Sequence, residues 1–118
     1  MTSRILVVDD STGFCWTAGE LLTEHGFELI GPAADGESAI AVARHACPDG
    51  VLLDINLPGR DGFSVAALLS SACPAARIVL TSADVGHVPP SALHGCGAAA
   101  FVPKIELAIA GLDQLFAS

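Results

Sequence analysis

Six side chains of this sequence are of types that do chemistry, and each stands where an apolar run ends. Asp9 and Asp10 follow ILVV, Asp54 ends GVLLD, Thr81 and Ser82 end RIVLTS, and Lys104 follows AAAFVP. Two unpaired carboxylates about 4 Å apart repel by about 4 kcal/mol at the effective dielectric found near a protein surface. Three gathered together cannot all stay ionised without a cation, and an all-oxygen set of this kind suits a hard ion such as Mg2+. A hydroxyl at Thr81 and an ammonium at Lys104 on the opposite side would suit a bridging anion. A tetrahedral phosphoryl group is the natural candidate, so these residue types point to phosphoryl transfer.

That chemistry works only if the run ends converge, which sets what the remaining residues must build. Apolar runs at 5–8, 27–34, 50–54 and 77–83 and within 95–104 read as strands, because they are continuous and short. Continuous runs mean burial on both faces, hence a parallel sheet covered by helices on each side. The intervening segments have helical spacing. Residues 11–25 place Phe14, Ala18, Leu21, Leu22 and His25 on one stripe, with Gly26 in the capping position. The next helix shows Ala39, Ile40, Ala43 and Cys47 on one face before Pro48, and FSVAALLSSA supplies the third.

The predicted fold is therefore a doubly wound α/β domain of five parallel strands, flavodoxin-like in its (βα)5 alternation, filling residues 1–118 as one domain. Its fourth helix should be short or irregular. Pro89 and Pro90 exclude a helix running through them, although Pro90 can open a short one over SALHG. A fifth helix over IELAIAGLDQLF would place Ile105, Ile109, Leu112 and Leu115 or Phe116 on its buried face. In such a sheet, ligands bind beyond the carboxyl ends of the strands, where all six candidate side chains lie.

Composition narrows the function classes. The chain has 118 residues, 52% of them apolar and 15% charged, enough for a core without disulfide or metal staples. Its formal charge of −8 argues against direct contact with nucleic acid or an anionic membrane and favours metal cations and basic protein patches. The N-terminal MTSRILVV lacks the features of a signal peptide, and the chain is expected in the cytoplasm. Cys15, Cys47, Cys73 and Cys96 have no CxxC spacing and read as small packing residues in a reducing compartment. His25, His45, His87 and His94 lack ligand spacing and read as surface or boundary residues.

Four motifs in order, VVDD at 7–10, LLDINLPGRDGF at 52–63, VLTSA at 79–83 and GAAAFVPK at 97–104, give the chain its resemblance. It resembles the receiver domain of two-component response regulators over nearly its whole length. The resemblance implies that Asp54 is the phosphoacceptor, taking a phosphoryl group from a sensor histidine kinase or phosphotransfer protein. It implies Asp10 and Asp54 as direct Mg2+ ligands, Asp9 acting through water and Asn56 through its backbone carbonyl. It assigns the Thr81 hydroxyl, the Ser82 amide and the Lys104 ammonium to the phosphoryl oxygens, and Phe101 to an aromatic switch coupled to Thr81. A receiver of this kind is not an enzyme toward other substrates; it promotes only its own phosphorylation and dephosphorylation. Its output is a changed surface for a downstream protein target or output domain, with self-association into a homodimer as a further option. Met1 and the lack of a linker tail lead to the expectation of a stand-alone regulator.

The sequence departs from that pattern in three places. Proline precedes Lys104 where the family usually has it following, with a cis bond between the two. Without proline a cis bond costs about 3 to 4 kcal/mol, so either Lys104–Ile105 is held cis or the loop differs. The Pro89–Pro90 pair interrupts a face that many receivers use for contacts. Trp16 stands on the outward side of the first helix; the expectation is partial burial against a neighbouring helix, with a partner anchor as the alternative.

Two rival readings remain at the level of sequence. A phosphorylation-independent interaction module could keep this fold. A phosphohydrolase with its nucleophile on the first strand fits poorly, because that chemistry usually spaces its two aspartates by one residue. Taken alone, Asp9 and Asp10 could simply cap the following helix. Asp54 and Lys104 at matching strand ends are what favour the cation.

Overall fold

A computed structural model of the chain describes residues 3–83 and 88–116. Five strands, β1 (Arg4–Val8), β2 (Glu28–Ala33), β3 (Gly50–Asp54), β4 (Arg77–Ser82) and β5 (Ala100–Pro103), form one parallel sheet in the order β2-β1-β3-β4-β5. The order reverses direction between β1 and β3. A crevice opens there at the carboxyl ends, and it is bordered by Asp9 and Asp54.

Alternation along the central strands divides the core into two layers. Leu6 and Val8 of β1, with Val51 and Leu53 of β3, face α2 (Gly36–Ala46), α3 (Gly62–Ala72) and α4 (Pro90–Cys96). Ile5, Val7 and Leu52 face the opposite way, onto α1 (Thr12–Glu24) and the C-terminal segment. All five residues of β3 are buried, as its continuous apolar run requires. β2 differs: only Ala33 at its end is buried, because β2 is an outer strand. Both outer strands carry a proline, Pro32 in β2 and Pro103 in β5.

The helix boundaries follow local capping chemistry. Ser11, Asp35 and Asp61 each accept a hydrogen bond from a backbone N–H three residues on, closing the amino ends of α1, α2 and α3. Helix α4 is only seven residues long and opens at Pro90, as the proline pair predicts; Gly97, at φ +80°, ends it in the left-handed region.

Three expectations fail locally. No continuous fifth helix forms over 105–116. Lys104–Ile109 is a 3-10 turn, Gly111 breaks the chain direction at φ +70°, and α5 (Leu112–Leu115) is a single helical turn. With three residues per turn, Lys104, Leu107 and Ala110 share a side, so Leu107 is buried while Ile105 and Ile109 are 76% and 84% exposed. His25, the last residue of the α1 spacing, is exposed at the helix end, as expected of a surface or boundary residue. Cys47 does not continue the apolar face of α2; it takes the left-handed C-cap at φ +44° and is exposed. Trp16 is 68% exposed, because α1 turns Ala18, Gly19 and Leu22 inward and leaves Trp16 on its outer side. His45 and His94 are exposed as expected, and His87 lies outside the described residues.

Candidate functional site

The rim is built where β1 and β3 end side by side. The Asp9 backbone N–H donates to Ala33 of β2 at 2.9 Å, which keeps Asp9 in line with the sheet beyond the last residue of β1. Its Oδ1 accepts from the Ser11 N–H at 2.8 Å, a short Asx turn that leaves Oδ2 aimed into the crevice. Capping of α1 falls to Ser11 instead, through Phe14 N–H, so neither Asp9 nor Asp10 is spent on the helix end. Asp10 is exposed at the mouth of the crevice.

Asp54 is the last residue of β3, and like Asp9 it is buried, at 4% and 2% exposure respectively. Its Oδ1 accepts from the Asn56 N–H at 3.2 Å. The turn after it is held tightly. The Ile55 N–H donates to the Thr81 carbonyl at 3.0 Å and the Gly62 N–H to the Ile55 carbonyl at 2.9 Å. A Cβ on Gly62 would stand 2.8 Å from the Asp54 carbonyl oxygen and closer still to Ile55 Cα, so only glycine lets α3 begin against the acceptor turn.

Oxygens of Asp9, Asp10 and Asp54 lie within 4.8 Å of one another. The Lys104 ammonium faces them, 2.7 Å from Asp9 Oδ2 and 3.8 Å from Asp54 Oδ2. The nearer contact is a charge pair rather than an aligned hydrogen bond, since that oxygen accepts none among the described residues. Lys104 Nζ also lies 4.2 Å from the centroid of the Phe14 ring on α1, a cation–π contact that fixes the ammonium from below. Lys104–Ile105 is not cis; Gly31–Pro32 is the one cis bond among the described residues. The loop after β5 therefore differs from the usual receiver arrangement, and the lysine still reaches the carboxylates.

Thr81 pairs in register with Asp54 across β3 and β4. Its hydroxyl is fully buried and makes no hydrogen bond among the described residues, a polar atom held ready at a cost. Ser82, also buried, accepts from Asn56 Nδ2 at 3.0 Å, tying the acceptor turn to the end of β4. Phe101 pairs in register with Leu80 and is half-buried against the α2–α4 layer, one residue before the partner of Thr81.

Electrostatics and donor set agree on what fits. One ammonium against three carboxylates leaves two negative charges at the rim, and every remaining donor is an oxygen. A divalent hard cation suits that set, held by Asp9, Asp10 and Asp54. Burial pushes the Asp54 carboxyl above its ordinary range; the Asn56 N–H pulls the other way, Asp9 and Asp10 raise it further, and Lys104 opposes them. Cys15 beside the site is likewise raised, first by burial and then by Asp9. Phe14 and Gly62 were not legible as site residues. Phe14 reads only as one member of an apolar stripe, and Gly62 only as a turn glycine.

Comparison with known proteins follows the same lines. The family model for the response regulator receiver domain matches residues 5–112. The chain is 31% identical over 124 residues to the transcriptional regulatory protein PdtaR of Mycobacterium tuberculosis (strain ATCC 25618 / H37Rv), covering 97% of this chain and 60% of PdtaR. It superposes with a TM-score of 0.85 and 29% identity on a LuxR-family two-component response regulator from Aurantimonas sp. SI85-9A1, covering 97% of this chain and 81% of that one. A chain of the CheX–CheY–BeF3–Mg2+ complex from Borrelia burgdorferi superposes with a TM-score of 0.85 at 25% identity, covering 98% of this chain and 90% of that one. The chain spans 60% of the length of PdtaR and between about a fifth and about a half of the other curated relatives it matches.

Proposed function

The chain belongs to the response regulator receiver domain family, and from that premise we propose that Asp54 accepts a phosphoryl group in a Mg2+-dependent reaction and that the modified protein signals through a changed surface. The observation that carries this reading is the rim itself: three carboxylates within 4.8 Å of one another, a lysine reaching two of them, and a buried threonine hydroxyl without a hydrogen-bond partner among the described residues.

In the proposed reaction, an Asp54 oxygen attacks phosphorus of a phosphohistidine in line. The new P–O bond forms as the P–N bond breaks, and the departing imidazole takes a proton. Mg2+, held by Asp9, Asp10, Asp54 and the Asn56 carbonyl, would supply positive charge to the phosphoryl oxygens. The chain's own part is positioning. The short turn from Asp54 to Gly62 fixes the nucleophile, and the strand-end Thr81 brings its hydroxyl toward a phosphoryl oxygen. Lys104 exchanges Asp9 for that group, and the Ser82 N–H donates to it. Movement of Thr81 then frees room into which Phe101 turns, and the surface around β4, α4 and β5 changes with it.

The partners this implies are a histidine kinase or phosphotransfer protein upstream and a protein target, an output domain or a second copy downstream. A cytoplasmic location fits these partners; no described helix is long and apolar enough to cross a membrane. The CheY–BeF3–Mg2+ complex among the structural relatives supports the same chemistry. A phosphorylation-independent module is not favoured, because the carboxylates, Lys104 and the Thr81 hydroxyl gather at one rim.

The test is intact mass after incubation with acetyl phosphate, with and without Mg2+, beside Asp54→Asn. The expected result is one added phosphoryl group that requires Mg2+ and is absent from the variant. Failure with both acetyl phosphate and a cognate kinase, or a gain that persists in Asp54→Asn, would overturn it.

A further inference from the structure

Two thiols meet at the end of the molecule opposite the carboxylates. Cys47 ends α2 and Cys73 ends α3, and their sulfurs are 2.6 Å apart although they are 26 residues apart in sequence. They share a backbone anchor: the Cys47 N–H and the Cys73 thiol both donate to the Ala43 carbonyl, at 2.8 and 3.3 Å. Arg4 holds the same corner, its Nη2 donating to the carbonyls of Ala46 and Cys47 at 2.6 and 3.1 Å. Cys47 takes a left-handed conformation that favours glycine, and that conformation turns its thiol onto Cys73. A packing cysteine has no need of that backbone, of exposure or of a second sulfur in contact.

We propose that Cys47 and Cys73 are an oxidation site that closes an intramolecular disulfide between the carboxyl ends of α2 and α3. The oxidant is hydrogen peroxide. Cys47, the exposed partner, attacks the peroxide oxygen as thiolate; an S–O bond forms, the O–O bond breaks and water leaves. Cys73 then attacks the Cys47 sulfenic sulfur; the S–S bond forms, the S–O bond breaks and a second water leaves. Two thiols lose two electrons in total, and the peroxide gains them. The order of attack follows from burial, which with the neighbouring Cys47 pushes the Cys73 thiol up to about 11 and keeps it protonated until its partner is activated. Closure draws the sulfurs together by roughly half an ångström to the bonded distance. Cys15 is half-buried beside Asp9 and Cys96 is buried at the end of α4, so neither offers a competing pair. The bond lies beyond the amino end of β3, and Asp54 lies at the other end of that strand.

Trypsin cleavage after Arg4, Arg44, Arg60, Arg77 and Lys104 puts each cysteine in a different peptide, so one map identifies the pair. Reduced chain is treated with stoichiometric hydrogen peroxide, alkylated and digested. The expected result is a monomer lighter by two hydrogens, with peptide 45–60 joined to 61–77 and alkyl groups on 5–44 and 78–104. Dithiothreitol should reverse it, and Cys47→Ser should abolish it while Cys15→Ser retains it. The oxidised chain should melt higher than the reduced one, because the bond closes a loop in the unfolded state. A dimer linked through Cys47, a sulfinic acid at Cys47 without cross-link, or a disulfide to Cys15 or Cys96 would overturn the proposal. The wild-type map decides the matter even if a variant fails to fold, and it is independent of phosphoryl transfer.

Discussion

Lys104 pairs with Asp9, at 2.7 Å, and stands more than an ångström farther from Asp54. The cation of the rim thus rests on a carboxylate that is not the proposed acceptor, and the acceptor keeps an oxygen for chemistry. Lys104→Ala leaves Asp9 buried beside two other acids. Breaking a fully buried pair costs about 3 to 5 kcal/mol. Lys104 is 17% exposed, so a loss of about 2 kcal/mol is expected in urea unfolding. The rate of phosphorylation should fall about 100-fold, as on losing one preorganised electrostatic contact. Phe14→Leu should cost about 0.5 to 1 kcal/mol through the ring contact and leave phosphorylation measurable.

Asp54→Asn should abolish phosphoryl acceptance and, in metal-free buffer near neutral pH, raise the melting temperature. Burial lifts the folded-state pKa of Asp54 above its ordinary 3.8. Its contribution to stability is therefore full below 3.8 and is lost as pH rises through the raised value. The asparagine does not titrate. The melting-temperature difference between variant and wild type should grow with pH across that window and vanish in acid, which a series of thermal melts reads directly.

Mg2+ should stabilise the chain by about 2.7 kcal/mol at 100-fold excess over its dissociation constant. Asp10→Asn should weaken that effect at little cost to the metal-free protein, because Asp10 is exposed. Thermal shift against Mg2+ concentration separates the two. An unchanged midpoint at saturating Mg2+ in wild type would remove the cation from the site.

Gly62→Ala should destabilise the protein by about 1 to 3 kcal/mol, the usual cost of forcing a methyl into closed space. The atoms it meets are backbone, Ile55 Cα and the Asp54 carbonyl, so they cannot rotate away. Slower phosphorylation should accompany the loss, since the acceptor turn must shift.

Asp61→Ala removes the cap of α3 and should cost about 1 kcal/mol. Bonding to the Ser64 N–H holds the Asp61 carboxyl below its ordinary 3.8. That contribution is present above 3.8 and fades as pH falls through the lowered value, the reverse of Asp54. Parallel acid titrations of the two variants should show opposite trends.

Strand positions and the rim were legible because buried runs and their terminal charges are local signals. ILVVDD, GVLLD and RIVLTS announce both a strand and what it delivers. The C-terminal segment was not legible. Ile105 and Ile109 fit a 3.6-residue period that holds only in an α-helix, and Gly111 had no competing signal strong enough to cancel it. The exposure of Trp16 and the meeting of Cys47 with Cys73 depend on which elements pack together, which no window of sequence contains. Phe14 belongs to the same class. Its ring matters through an ammonium 90 residues away.

The prolines of the outer strands, Pro32 and Pro103, carry a consequence for behaviour in concentrated solution. A sheet whose outer strands offer an unbroken row of N–H groups can recruit strands from other molecules and grow into fibres. Here each flank lacks a donor near its carboxyl end. A chain that is more than half apolar and carries buried hydrophobic strands thus offers a broken donor row at each edge of its sheet.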